Sequence, residues 1–220
     1  MKYESIRRSM IEAAKQMEHY RLISLCGGNV SVRTPDGSIL VTPSGMGYEN
    51  MQPEDICVLD AEGHEVECIH RPSSDTAALV YIFQHRPDIH ALIHTHQPYA
   101  TAVGFVTDYF PPCLVTQIDA LRGGVHVAPF TVSSDIGMGI LTVEHAHESL
   151  AVILRGHGVM AMGCTLDACL TAAVYLEESS QTYLAALSAH AVIEPLPDDV
   201  VAAEAGDMEQ WMRYLQGKGV

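Results

Sequence analysis

Ala91-Leu-Ile-His-Thr-His96 is an apolar run that ends in two histidines one residue apart. The run predicts a buried strand, whose two-residue period turns both imidazoles to one face at the strand's end. A second apolar run leads into Arg155-Gly-His-Gly158, where glycines let the backbone come close to a bound ion. We therefore predict a metal site made of His94, His96 and His157. Three neutral imidazoles with an open position are typical of catalytic zinc, and the alternative is a set of structural histidines.

Length and composition indicate an ordinary globular protein. The 220 residues are 48% hydrophobic and 18% charged, which predicts a single domain over 1–220 with a C-terminal tail from about residue 191. The net charge of −15, with only 12 lysines and arginines, argues against nucleic acid or an anionic membrane as partner. With no signal-peptide pattern and no apolar stretch of membrane-spanning length, we expect a cytoplasmic protein.

The six cysteines are scattered without any C-x-x-C pair, so the sequence predicts neither a zinc knuckle nor a redox motif. We expect reduced thiols in the core. Cys113 follows two prolines and is a candidate for partial exposure, but a nucleophilic role needs a nearby base that the sequence does not show.

Helical and strand patterns alternate along the chain. The predicted helices are 4–20, 75–85, one after Pro98, one from 133–135 to about 147, and 165–190. The predicted strands are 29–33, 39–42, 56–60, 65–69, the histidine-bearing strand, 113–117, 125–130, 150–155 and 159–162. The acidic stretch 198–207 is interpreted as a solvated loop or helix face. This interleaving of helices and hairpins predicts an α/β fold, a three-layer α/β/α sandwich around a mixed, largely antiparallel sheet.

Three segments have the composition of anion-binding loops. Gly27-Gly-Asn29 and Thr42-Pro-Ser-Gly45 offer unhindered amides beside polar side chains, although plain turns have the same composition. Arg71-Pro-Ser-Ser-Asp-Thr76 places two hydroxyls at a helix start, where the helix dipole favours an anion. The alternative for this last segment is a plain cap formed by Ser73 or Ser74.

Taken together, these motifs carry a family resemblance. Gly28-Asn-Val-Ser-Val-Arg33, Thr42-Pro-Ser-Gly45, Pro72-Ser-Ser-Asp75, His94-Thr-His96 and His157-Gly158 occur in the order and spacing of the class II aldolase/adducin family. The chain resembles this family over about residues 5–190. The family includes L-fuculose-phosphate aldolase and L-ribulose-5-phosphate 4-epimerase, and the set of motifs is far more specific than any one of them.

The resemblance implies a set of site residues. His94, His96 and His157 would bind Zn²⁺, or another divalent ion such as Mn²⁺ or Co²⁺. A cradle for a substrate phosphate would comprise Gly28, Asn29, Ser44, Gly45, Ser73 and Ser74. Asp75 would move a proton, and Asp119 and Tyr214 resemble further catalytic residues of the epimerases. The resemblance also implies a homotetramer with active sites between subunits, Tyr214 reaching across from a neighbour.

The expected reaction is retro-aldol cleavage of a small phosphorylated ketose, with the electrons of the broken bond held as an enediolate. Epimerisation through the same step is the alternative, and the sequence points both ways. Asp75, Asp119 and Tyr214 resemble the epimerases, whereas Thr42 and the string Gln117-Ile-Asp-Ala-Leu121 depart from them. Further alternatives are decarboxylation of a phosphorylated keto acid and a non-catalytic, adducin-like module. Asp119 could equally be a loop carboxylate that caps a turn, and Tyr214 a surface anchor.

Overall fold

The computed structural model describes residues 1–218, with side chains described at 1–207 and 210. Within this part of the chain, nine strands form one sheet in the order β4-β3-β2-β1-β5-β9-β8-β7-β6. The strands are β1 Asn29–Arg33, β2 Ile39–Val41, β3 Cys57–Leu59, β4 Glu65–Glu67, β5 Ala91–Thr95, β6 Tyr109–Phe110, β7 Val125–Ala128, β8 Ala151–Leu154 and β9 Gly158–Gly163. Only β7 and β8 pair in parallel, so the sheet is mixed and largely antiparallel, as predicted.

Helices cover both faces of the sheet. They are α1 Glu4–His19, α2 Thr76–His85, α3 Pro98–Val106, α4 Val115–Leu121, α5 Ile136–Ala146, α6 Leu166–Ser188 and α7 Asp198–Lys218, with a short 3₁₀ helix at Pro53–Asp55. On β5, Ile93 packs in one core with residues of α1, α3 and α6, whereas its neighbour Leu92 packs in another with residues of α2 and α5. Because successive side chains of a strand point to opposite faces, the two cores lie on the two sides of the sheet. This arrangement is the three-layer sandwich that the sequence predicted.

The central strand β5 positions the histidines. It pairs antiparallel with β1 on one side and β9 on the other, so that His94 lies opposite Asn29 and Met160. The residues of β5 are buried because both faces of the sheet are covered. The ends of three adjacent strands therefore meet where the sequence predicted the metal site.

Most predicted elements are confirmed, and one is wrong. Residues 113–117 do not form a strand, because helix α4 begins at Val115. The buried side chain of Gln117 accepts a hydrogen bond from the Cys113 amide and donates one to the Pro111 carbonyl. These bonds tie the proline loop to the first turn of a helix and outweigh the strand preference of Val115 and Thr116. The two-residue strand β6 was not predicted.

One further prediction needs correction. The N-cap of α2 is Asp75, and neither Ser73 nor Ser74 caps the helix. Ser73 instead forms the turn that precedes it, with its carbonyl accepting from both the amide and the hydroxyl of Thr76. The tail contains the long helix α7. Just before this helix, the amide of Leu196 donates a hydrogen bond to the Pro112 carbonyl. That 1–220 is a single domain stays a prediction. Among the described helices, none combines the length and the apolar character needed to cross a membrane.

Candidate active site

Three histidines converge at the mouth of the central strands. His94 is the penultimate residue of β5, His96 follows the strand, and His157 lies in the turn between β8 and β9. The Nε2 atom of His94 lies 3.1 Å from that of His96 and 3.3 Å from that of His157. The ligand atoms of all three lie within 4.8 Å of one another, so the group could hold a metal ion. Two nitrogens bound to one tetrahedral zinc at about 2.0–2.1 Å would be roughly 3.3 Å apart, which fits both distances.

Hydrogen bonding and burial keep these imidazoles in a ligating state. The Nδ1–H of buried His94 donates to the Val159 carbonyl at 2.8 Å, an arrangement in which its Nε2 presents a lone pair to the other two rings. Burial, together with the neighbouring imidazoles of His157 and His96, lowers the pKa of His94 to about 3. Burial also lowers the pKa of His96 and of His157, against the opposing negative charge of Asp75. Neutral imidazoles are the form that binds a metal.

Two glycines allow the backbones around the histidines to approach closely. A Cβ atom on Gly158 would lie 2.0 Å from the Thr95 carbonyl oxygen, and one on Gly28 would lie 2.3 Å from the His94 carbonyl oxygen. Gly28 also has a φ of +71°, a left-handed conformation that side chains rarely adopt. The local sequence therefore determines how tightly β1, β5 and β9 enclose the group.

A cavity of about 420 Å³ opens beside the histidines. From the predicted set it is lined by Gly28, Ser44, Gly45, Ser73, Ser74, Asp75, His94, His96 and His157. The amide of Ser44 donates to the Arg71 carbonyl and that of Ser73 to the Thr42 carbonyl, so the two serine loops are joined by backbone bonds. Ser44 and Ser73 therefore have their hydroxyls, but not their amides, to offer a ligand.

Asn29 and Asp75 form a buried pair at this cavity. Asp75 lines the cavity at 7% exposure, and its Oδ2 accepts a hydrogen bond of 2.8 Å from Nδ2 of Asn29. Asn29 is only 1% exposed and is absent from the cavity lining. Asn29 thus meets the cavity through its bond to Asp75, and its place in the phosphate cradle stays a prediction.

The cavity is also lined by residues outside the predicted site set, and among them sequence reasoning missed Ser133 and Ser134. Its further lining residues are Cys26, Gly27, Pro43, Ser133, Ser134 and Gly156. Ser133 and Ser134 precede α5, whose N-cap is Asp135, and we interpreted them only as a helix start. Two hydroxyls before a helix are the same pattern as Ser73-Ser74 before α2, and that likeness could have identified them.

The two remaining predicted catalytic residues do not join this group in the described chain. Asp119 lies half-buried on α4, outside the cavity lining, and burial raises the pKa of its carboxyl. The side chain of Tyr214 lies outside the described residues. Cys113 is half-buried, and burial raises the pKa of its thiol, which does not favour a nucleophile.

Comparison with known proteins decides the family. The model of the class II aldolase and adducin N-terminal domain matches residues 8–184. The chain belongs to this family. A relative from Rhodospirillum rubrum, named 5-methylthioribulose-1-phosphate/5-deoxyribulose-1-phosphate aldolase, is 34% identical over 89% of this chain and 87% of its own. An L-ribulose-5-phosphate 4-epimerase from Salmonella paratyphi B is 26% identical over 89% of this chain and 91% of its own.

Solved structures agree with this assignment. The structure of an L-fuculose 1-phosphate aldolase superposes with a TM-score of 0.89 at 25% identity, covering 95% of this chain and 98% of that one. With named aldolases and an epimerase among its relatives, this class II aldolase chain is an enzyme. The histidine group gives it a place for the metal on which class II aldolases depend.

Proposed function

We propose that this class II aldolase is a zinc-dependent lyase that cleaves a small phosphorylated ketose by a retro-aldol reaction. The observation that carries the proposal is the convergence of three neutral imidazoles beside a hydroxyl-lined cavity that also contains a buried carboxylate. Metal, phosphate site and proton carrier are the three parts that such a reaction needs.

His94, His96 and His157 would hold the cation, and the donor set fits it. When bound, a divalent cation supplies Lewis-acid stabilisation of the negative charge that develops on adjacent substrate oxygens as a carbon–carbon bond breaks. The bond from His94 to the Val159 carbonyl orients that imidazole. The buried Nδ1 of His157 has no hydrogen-bond partner among the described residues.

The phosphate would rest between the two serine loops. Ser44, Ser73 and Ser74 offer hydroxyls, and Gly28 and Gly45, which carry no side chain, line the same cavity. Helix α2 begins at the same wall, and its N-terminal dipole favours an anion. This local arrangement suits a chain whose net charge of −15 would otherwise repel a phosphate.

Asp75 would carry the proton. Its carboxylate lines the cavity together with the three imidazoles. In the cleavage direction, it returns a proton to the carbon that is left with the bonding electrons, and in the condensation direction it removes that proton.

The relatives suggest the substrate class. The Rhodospirillum rubrum relative and one named 5-deoxy-D-ribulose 1-phosphate aldolase from Bacillus thuringiensis, 29% identical over 97% of this chain and 96% of its own, are both aldolases of ketose 1-phosphates. We therefore propose a 5-substituted or 5-deoxy pentulose 1-phosphate as substrate. Cleavage would then give dihydroxyacetone phosphate and a short aldehyde.

Epimerisation of a pentulose phosphate is the second candidate. It is favoured by the aspartate at position 75, by Asp119 and by the epimerase relative. Thr42 speaks against it, because the epimerases carry a lysine there. Thr42 is fully buried, and its hydroxyl accepts a hydrogen bond from the Val30 amide instead of reaching the cavity.

The proposal includes a cytoplasmic homotetramer. Large apolar side chains are exposed around the end of α3 and in the segment before α5, among them Phe105, Val106, Phe130 and Val132. Such exposure favours association with further copies. Free cysteines at all six positions are in keeping with a reducing compartment.

One experiment tests the reaction. The protein is stripped with a chelator, reloaded with Zn²⁺ and incubated with a panel of ketose phosphates and the matching free ketoses. We expect dihydroxyacetone phosphate from the 1-phosphates and little turnover of the free sugars. An isomerised pentulose without cleavage would favour the epimerase, and full turnover in metal-free protein would refute the proposal.

Variants of two histidines provide the control. His94→Ala should lose bound zinc and turnover while its circular dichroism spectrum and unfolding transition remain close to those of the wild type, because the metal is not what folds a core of this size. The matched control is His90→Ala, an exposed histidine just before the same strand. It should retain both zinc and turnover.

A further inference from the structure

His96 is the least constrained of the three imidazoles. It is exposed, whereas His94 is buried and donates to the Val159 carbonyl. Within the described part of the chain, the ring nitrogens of His96 have one hydrogen-bond partner, Nε2 of His94, and a bound metal would replace that contact. The direction of the His96 ring therefore depends mainly on the backbone that carries it.

The residues on either side of His96 are anchored from the opposite face of the sheet. Because side chains alternate along an extended chain, Thr95 and Gln97 point to the face where Ile93 packs with α6, away from the histidine group. Both are fully buried. The Thr95 hydroxyl donates to Oε1 of Gln97 at 2.6 Å, and Nε2 of Gln97 donates to the Ala173 carbonyl of α6 at 3.2 Å. These two bonds tie the end of β5 to α6.

Glu177, one helical turn after Ala173, joins the same network. Burial raises the pKa of its carboxyl, and a hydrogen bond from the Gln97 side chain opposes that rise. Nε2 of Gln97 carries two hydrogens, so it can serve both the Ala173 carbonyl and the Glu177 carboxylate. Turning the Gln97 amide over would place its oxygen against these two acceptors. The network thus fixes the orientation of the amide.

The carboxylate of Glu177 also begins helix α3. Pro98 opens this helix without an N–H, and the side chain of the N-cap residue Gln97 makes no bond to it. The carboxylate oxygens accept from the amides of Tyr99 and Ala100, at 3.0 and 2.9 Å. Such amides are commonly satisfied by the helix's own N-cap residue. Here α6 supplies the cap, which leaves the Gln97 side chain to hold the strand end.

We propose that Thr95, Gln97 and Glu177 form a positioning network for the metal ligand His96. The network fixes the backbone on both sides of His96 to α6, so that the imidazole is directed at the metal without an orienting hydrogen bond of its own. This inference rests on the proposed function, in which His96 binds the cation. Groups that orient a ligand affect the affinity of the site for its metal.

Metal affinity and coordination geometry test the network without measuring turnover. Zinc affinity is measured by competition with a chromophoric chelator, and the visible absorption of Co²⁺-loaded protein reports the geometry around the ion. Thr95→Val removes the hydroxyl at nearly unchanged volume and leaves Oε1 of Gln97 without its donor. We expect zinc affinity to fall by roughly 10- to 100-fold and the Co²⁺ spectrum to change. Thr95→Ser, which keeps the donor, should retain the wild-type affinity and spectrum.

The other two members should give related effects. Gln97→Leu removes every bond of the amide and should weaken zinc at least as much as Thr95→Val. Because both variants break the same link, combining them should cost no more than Gln97→Leu alone. Glu177→Gln keeps the size of the side chain but leaves one acceptor oxygen for two helix amides, so it should weaken zinc to a smaller extent.

Thr142→Val is the matched control for lost stability. Thr142 is also fully buried, and its hydroxyl donates to the Met138 carbonyl of α5 at 2.8 Å. The variant should lower the free energy of unfolding of the metal-free protein, as Thr95→Val does. Its zinc affinity and Co²⁺ spectrum should remain those of the wild type.

The outcomes separate the network from the reaction. If Thr95→Val and Gln97→Leu lose stability like Thr142→Val but bind zinc as the wild type does, the positioning network is refuted and the proposed function stands. If His94→Ala binds Co²⁺ with unchanged affinity and spectrum, the histidines do not hold the metal, and both proposals are refuted.

Discussion

The tautomer of His94 is determined by a group that no side-chain substitution removes. Its Nδ1–H donates to the backbone carbonyl of Val159, which β9 holds in register with β5. In many metal sites a carboxylate has this role, and its loss by mutation weakens the metal. In this protein, the pairing of β9 with β5 holds His94 in the tautomer whose Nε2 is free to bind a metal. Changes of the Val159 side chain should therefore act on packing and leave the tautomer in place.

Asp119 distinguishes cleavage from epimerisation. If the enzyme cleaves its substrate, Asp75 carries the proton and Asp119→Asn should lower turnover only slightly. In an epimerase, Asp119 would exchange a proton with the rotated aldehyde, and its loss should cost roughly 10²–10⁴-fold. Steady-state kinetics of Asp119→Asn beside Asp75→Asn makes the comparison, with zinc content as control. We expect the mild outcome, and near-complete loss in a folded, zinc-loaded Asp119→Asn would establish the epimerase.

At the residue scale, the sequence was sufficient to predict which side chains lie at the site, but not which of them contact one another. The spacing of His94 and His96 in a strand, and glycines around His157, predicted a convergence that the structure shows. The bond between Asn29 and Asp75 joins residues 46 positions apart, and no local pattern indicates such a contact. A local motif determines which chemical groups a loop carries, whereas the pairing of strands in the sheet determines which loops lie next to each other.

Among the elements, β9 lies so close to β5 that a single methyl group should disrupt their pairing. Gly158→Ala would place a Cβ 2.0 Å from the Thr95 carbonyl oxygen and 3.2 Å from Cα of His96. We expect it to lower the free energy of unfolding by about 1–3 kcal/mol and to weaken zinc binding, because the strand must move away from the histidines. Urea unfolding and zinc titration measure both effects.

Gly47→Ala is the matched control for this strand contact. Nothing lies within 4 Å of a Cβ at that position, so the variant should unfold like the wild type. Equal stability of Gly158→Ala and Gly47→Ala would contradict the tight packing of β5 against β9.

Helix α3 begins on a buried carboxylate supplied by α6. Glu177 accepts hydrogen bonds from the amides of Tyr99 and Ala100, in the first turn after His96, and burial raises its pKa above the ordinary 4.5. A raised folded-state pKa means that the carboxyl stabilises the fold most at acid pH and that this contribution is lost as pH rises through the raised value. Glu177→Gln should abolish this dependence. As pH rises through the raised pKa, the unfolding free energy of the wild type should fall relative to that of the variant.

Unfolding in urea at a series of pH values measures this difference. Glu178→Gln changes the adjacent, exposed glutamate of the same helix and serves as control. Its pH dependence should follow that of the wild type. Parallel curves for all three proteins would show that Glu177 does not ionise differently on folding.

The elements missed by sequence analysis are those stabilised by distant partners. Residues 113–117 contain Val115 and Thr116, which favour strands, but helix α4 packs against α6 and α7 and forms there. In the tail, the helix-face interpretation of the acidic stretch 198–207 is confirmed, because this stretch is the exposed or half-buried first half of α7. Long amphipathic segments such as α1 carry their own periodicity and were predicted almost to the residue.

On the scale of the whole molecule, the exposed apolar side chains predict an assembly. Phe105 is 69% exposed at the end of α3, and Val106 beside it is also exposed. We expect four chains per particle by sedimentation equilibrium, and a smaller species with reduced turnover for Phe105→Asp. Lys15→Asp, on the exposed side of α1, tests whether any new negative charge has this effect. A wild-type monomer with full activity would contradict the homotetramer.

The position of β5 in the sheet also has a consequence for the order in which the protein is made. Its β1 edge is covered by residues synthesised before it. Its β9 edge stays unpaired until the strand that follows His157, 63 residues after His94, has been synthesised. A nascent chain that ends before residue 157 therefore has an open strand edge and two of its three imidazoles. We therefore expect that a metal ion could be bound by all three histidines only when synthesis has reached the last strand of the described sheet.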